Sequence, residues 1–267
     1  MMKILVFVLL LGIMFSSCGN KADSERQNDS AFTTVQESVA AVDDSVEVAE
    51  SSQVGDESSF EVSDSSEDDM KWRLFEDTYK ETDSGRAAEN YAHNQGIKIE
   101  GFVRCGQENP PVCDMILGKK RFAGVGCEVI AAYNYLTYEG LEPDMAKLAY
   151  DFEKNALIAA DGSLGSNPRK ISGLFKAMGV GYKRFYKAEE AQAAVDEGKP
   201  VIVSFHIGEN IFSGIHTVFA VKEEGRLYVY NCYNSAADRT EVESIYQLMD
   251  KNSLFIVGYT EDDGQMR

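Results

Sequence analysis

Three histidines and five cysteines are the only such residues in the 267-residue chain, so the groups able to do nucleophilic or metal chemistry are few. Cys127 follows Gly124-Val125-Gly126 and opens a run with helical spacing. A helix N-terminus carries a partial positive charge that favours thiolate over thiol. The glycines let the backbone turn sharply and present the sulfur, which is what an activated nucleophile needs. His216 stands at the start of a strand-like run, where an imidazole brought to the thiol would act as base and ion-pair partner. Asn231 ends the next run, and a side-chain amide oxygen there can accept the imidazole N–H and fix its orientation. Outside such an arrangement Cys127 reads as a small buried hydrophobe. His206 ends another strand-like run and reads as structural or edge-exposed; His93 falls on a polar helix face. No CxxC, no HExxH and no cluster of ligands at zinc spacing occurs, so neither metal nor cofactor is expected. Asp161–Asn167 lacks the ligand spacing of an EF-hand loop, and Gly179-Val180-Gly181 falls short of a phosphate fingerprint.

The elements that must position these residues change character along the chain. Trp72, Phe75 and Tyr79 have the spacing of a leading helix. Cys127–Tyr138 reads as a helix with Val129, Ile130, Tyr133 and Leu136 on one face, and Pro143 opens a second. Asn167-Pro168 is a helix start, with Ile171, Leu174, Phe175 and Met178 following at helical spacing and Gly179 as the stop. Residues 188–197 form a short helix ended by Gly198. Then the period shortens. Pro200–Phe205, Ile215–Val221, Leu227–Asn231 and Leu254–Tyr259 are strand-length apolar runs; the middle two are joined by a Gly-containing hairpin, and a helix is expected near 241–250. Helices first and an antiparallel sheet later argue for an α+β domain.

Cys127–Leu136, Gly198–Val203, His216–Val221 and Tyr228–Asn231 together resemble the papain-like cysteine peptidases, closest to the C39-like branch. The resemblance runs as a pattern over most of residues 120–260 and is specific at three short places. It implies a papain-like fold, with Cys127 as nucleophile, His216 as base and Asn231 as orienter, acting on a peptide or other amide bond. Two positions depart from the family's pattern. Arg121 stands where the family places an oxyanion-donating Gln, and losing one such donor costs about 3 kcal/mol of transition-state stabilisation. Gln107 or Asn109 is then the available substitute. Glu128-Val129 replaces the usual Gly-Pro after the Cys, placing an acid beside the thiol. The rivals to a thiol hydrolase are a catalytically silent papain-like binding module and an acyltransferase or transglutaminase-type enzyme with the same Cys, His, Asn order.

Parity along the hairpin bears on these rivals. An even loop, either Glu224-Gly225 or Glu223 to Arg226, pairs Val218 with Asn231 and puts His216 and Asn231 on one face. That register is expected, with Cys232 on the opposite face as packing. Asn231 turned away, with Cys232 beside His216, would leave Asn234 as the only nearby replacement and favour the silent module.

The remaining cysteines address compartment. Lys3, the apolar run Ile4–Phe15 and Phe15-Ser16-Ser17-Cys18 read as residues 1–17 of a bacterial lipoprotein signal, with Cys18 lipidated. The apolar run is too short to span a membrane. Lys21–Glu25 loosely resembles a Bacteroidetes export tag, so the outer membrane is expected, with its periplasmic and outer faces both open. In that compartment Cys105 and Cys113 are expected to bridge a short loop, leaving Cys127 and Cys232 as thiols. Residues 21–70 hold 15 acidic and two basic side chains of a chain whose net charge is −18, and few bulky apolar ones. Residues 18–70 therefore read as an acidic, disordered tether. Residues 71–267 carry 29 acidic and 23 basic side chains and suffice for one core. Nothing in this charge balance would neutralise phosphates, so nucleic acid is not an expected partner. Contact with a membrane is expected through the lipid anchor alone.

Overall fold

The structure, a computed structural model, describes residues 78–159, 162–163, 165–207, 214–249 and 255–262. The expected signal segment with Cys18, the expected tether, Trp72 and Phe75 lie outside the described residues. Tyr79, expected on a leading helix, instead forms an isolated antiparallel bridge with Ala159.

Helix α1 is Ser84–Gln95, begun by Asp83, whose Oδ1 accepts the Gly85 and Arg86 N–H groups. Two two-residue strands, β1 Ile116–Leu117 and β2 Lys120–Arg121, form a small hairpin. A single turn, α2 Phe122–Val125, leads through Gly126 into α3 Cys127–Tyr138. Helix α4 is Met145–Lys154, capped by the Asp144 carboxylate on the Ala146 and Lys147 N–H groups. Asn167 caps a 3-10 turn at Pro168–Lys170 that runs into α5 Ile171–Ala177. After strand β3 Lys183–Phe185 and helix α6 Ala188–Asp196 come β4 Val201–His206, β5 Ile215–Glu223, β6 Arg226–Tyr230, β7 Thr240–Val242 and β8 Phe255–Thr260.

Strands β3 to β8 form one sheet in the order β3-β8-β4-β5-β6-β7, antiparallel throughout. The domain is α+β. The helix expected near 241–250 is instead β7 followed by a 3-10 turn at Ile245–Leu248. Leu227 pairs with Val242 there, and Val242 and Ile245 bury themselves against the sheet, so tertiary pairing overrides local spacing.

Side chains alternate along a strand, so the sheet offers two faces. Ile202, Phe219, Val221, Val257 and Tyr259 face α3 and α5, and the centre of that layer is aromatic. Tyr135 of α3 lies 5.2 Å from Phe175 and 6.5 Å from Phe219 between ring centroids. Val201, Val203, Phe205, Val218, Ala220 and Val229 face α6. Truncating one large core ring such as Phe219 to Ala would cost about 3–5 kcal/mol. Among the described residues no helix is long and apolar enough to cross a membrane.

Candidate functional site

Cys127 is the first residue of α3 and half-buried. Gly126, which joins α2 to α3, has no room for a side chain: a Cβ there would lie 2.6 Å from the Phe122 ring. Tight packing of Phe122 under this corner thus fixes where the thiol emerges. The sulfur rests beside Thr217 of β5, whose backbone and hydroxyl hydrogen-bond to it. Thr217 Oγ1 lies 3.0 Å from Ser204 Oγ on β4, in a fully buried polar pair on the α3 face. Burial pushes the Cys127 thiol up to about 11, with neighbouring Glu128 adding to the rise. The Thr217 groups and the helix start oppose this, and burial outweighs them.

His216 precedes Thr217 and so projects to the other face. It pairs with Phe205, whose ring meets the imidazole edge-on at 6.0 Å, within the layer that α6 covers. Its Nε2 is 2.7 Å from the backbone oxygen of Asn231, and burial lowers its pKa. No hydrogen bond joins the Cys127 thiol to His216. The two residues that the sequence pairs as nucleophile and base are therefore divided by the sheet.

Asn231 follows β6 with φ of +55°, a conformation that Asn tolerates better than most residues. Its side chain turns from His216 to Gln107: Asn231 Oδ1 accepts the Gln107 N–H at 2.8 Å and Nδ2 donates to Gln107 Oε1 at 3.3 Å. The carbonyl of Asn231, not its amide oxygen, meets the imidazole. Gln107 Nε2 donates to Ala123 O in α2, so both ends of this buried amide are engaged within the protein rather than free for an oxyanion. Asn109 Nδ2 is likewise held by Gly106 O and Ala236 O. The Arg121 side chain is 72% exposed and reaches Asp114 at 3.3 Å, away from the thiol. None of the three oxyanion candidates is positioned as one.

Cys105 and Cys113 are free thiols, against the expected bridge. Backbone hydrogen bonds do the holding instead. Gly106 N–H reaches Ala236 O at 2.7 Å and Glu108 N–H reaches Asn234 O at 2.8 Å, sewing this loop to the segment after β6. Gly106 sits so close that a Cβ would fall 2.2 Å from the Tyr233 and Asn234 oxygens. Cys113 is fixed separately, in a 3-10 turn at Val112–Asp114 that follows a cis Pro110-Pro111 bond.

Two features escaped the sequence reading, the burial of Glu128 and the face taken by Cys232. Glu128 is 1% exposed, and its Oε1 has no hydrogen-bond partner. Burial pushes its carboxyl up to about 8, with Ser166 hydrogen-bonded to it. His206, read as structural or edge-exposed, is fully buried on the same face as Ser204, as the structural alternative expects. Cys232, expected on the face opposite His216, lines the same pocket as His216. The left-handed turn at Asn231 takes one residue out of the alternation and returns Cys232 to the His216 side. No family model matches the chain, and no curated protein matches it in sequence.

Proposed function

We propose that residues 71–267 form a papain-like domain that binds a peptide or other amide-containing ligand without cleaving it. The observation that carries this reading is the division of Cys127 and His216 between opposite faces of the sheet. A thiol held near 11 is protonated at neutral pH, and a nucleophile of this class needs a base within hydrogen-bond reach. Asn231 orients nothing through its amide, being spent on Gln107. In this reading a lipidated Cys18 and the acidic tether hold the domain at the bacterial outer membrane. Thiol hydrolysis or acyl transfer is the rival, on the chain order Cys127, His216, Asn231.

Alkylation by iodoacetamide, followed at Cys127 by mass spectrometry from pH 6 to 12, tests the proposal. The expected rate profile has its midpoint near 11 and does not move in His216→Ala. Assays of the same protein and of Cys127→Ala on a peptide and anilide panel are expected to show equal, background release. Turnover that disappears in Cys127→Ala, or a thiolate already formed at neutral pH that His216→Ala abolishes, would overturn it.

A further inference from the structure

The face of the sheet that lacks Cys127 carries a cavity of about 300 Å3. Its floor is Phe205, His216 and Cys232, each buried. Two large apolar side chains stand at its mouth with most of their surface in water, Ile207 at 55% exposure and Tyr233 at 63%. Leu248 and two carboxamides, Asn234 and Gln247, also line it. Gln247 Oε1 is held by the Glu243 N–H at 2.8 Å, which leaves its NH2 group as a donor. Among the described residues no Asp, Glu, Lys or Arg lines the cavity, although the chain as a whole is strongly acidic. His216 adds no charge at neutral pH, because burial lowers its pKa.

We infer that this pocket is the ligand site of the proposed binding domain, and that it takes one bulky, uncharged side chain of a partner polypeptide. The inference rests on the non-hydrolysing reading above. Size selects the class of ligand. Cavities for whole small molecules run from roughly 300 to 1,000 Å3, so this one is at the bottom of the range and suits a single ring. The rest of the partner then lies across the exposed Ile207 and Tyr233 surfaces, which would otherwise stay wet for no gain. Interfaces of this kind anchor one aromatic or aliphatic group in a desolvated pocket and surround it with weaker contacts. The carboxamides of Asn234 and Gln247 supply neutral hydrogen bonds of the kind a peptide backbone satisfies. A charged side chain would be desolvated on a floor of Phe205 and Cys232, with no counter-charge among the described lining residues.

Titrating the mature protein with N-acetyl-L-phenylalaninamide, read by NMR shifts of the His216 ring and the Cys232 amide, tests the inference. Saturable millimolar binding is expected, at least threefold weaker in Tyr233→Ser, whose exposed position leaves the fold intact. N-acetyl-L-lysinamide is expected to bind at least tenfold more weakly. Equal response to the lysine probe overturns the uncharged preference. Response to toluene but not to the capped amino acid overturns a polypeptide partner, and no saturable response to any probe overturns the site. These failures are separable from that of the parent reading: Cys127-dependent turnover removes the binding-only function even with pocket binding intact, whereas silent chemistry with an unresponsive pocket removes this inference alone.

Discussion

Cys127 and Glu128 are adjacent at the first turn of α3, where a helix start ought to favour both anions, yet burial reverses the effect for each. For Glu128 the consequence is measurable. Its carboxyl titrates near 4.5 when unfolded and is pushed up to about 8 when folded. The folded state thus holds a proton that the unfolded state has lost. Stability from this group is complete below about 4.5, falls as pH rises, and is gone above about 8. The loss amounts to a few kcal/mol at most. His216 works the opposite way, since burial lowers its pKa and stability from it is lost as pH falls below its unfolded value of 6.5. A difference between two variants cancels that term. Glu128→Gln keeps the shape and removes the charge. Calorimetry is therefore expected to show a Tm gain for Glu128→Gln that is largest at pH 8 and shrinks toward pH 4.5. A gain that stays constant across that range would show that the carboxyl is not titrating with folding.

At the scale of elements, what the sequence made legible was local. Cys127–Tyr138 emerges with the bounds its spacing predicts, and Asn167-Pro168 caps a turn as expected, because the signals lie within a few residues of the element they specify. The hairpin between β5 and β6 has the expected even loop: Glu223 pairs with Arg226 across Glu224-Gly225. Parity was readable, but the face was not. His216 is in step with Val218 and Ala220, and those residues meet α6, while Phe219 and Val221 take the aromatic layer under α3. Which set meets which helix depends on contacts distant in sequence. The strand at Thr240–Val242 was hidden for the same reason, since only its pairing with β6 makes it a strand. The hairpin turn itself carries a test. Both central residues have positive φ, +51° at Glu224 and +81° at Gly225, as a type I′ turn requires. Glu adopts that conformation at a cost of about 1–2 kcal/mol that Asn largely avoids. Glu224→Asn should therefore raise Tm by about 2–4 °C for each kcal/mol recovered, in a thermal melt. An unchanged or lower Tm would mean that Glu224 makes a compensating contact.

The molecule as a whole divides its charge unevenly, and this division bears on what folds. Residues 21–70 hold 15 of the 44 acidic side chains with only Lys21 and Arg26 against them, while residues 71–267 hold 29 acidic and 23 basic. In the latter region acids find partners: Arg104 with Asp238, Lys222 with Asp196 and Lys199 with Glu197 are ion pairs, each with an exposed carboxylate and so individually weak. Its stability must come instead from the apolar layers on the two faces of the sheet. A stretch rich in Ser, Asp and Glu has too little apolar surface to offset the entropy of ordering it. Like charges in such a stretch are expected to repel one another, and less so as salt is added. We therefore expect a chain beginning near Asp69 to melt within about a degree of one beginning at Cys18, at both low and high salt, because a ΔΔG near zero leaves Tm unmoved. A clearly lower Tm for the shorter chain would show that residues 18–68 pack on the domain and would end their description as a tether. A difference present only at low salt would assign that packing to the basic side chains of the domain.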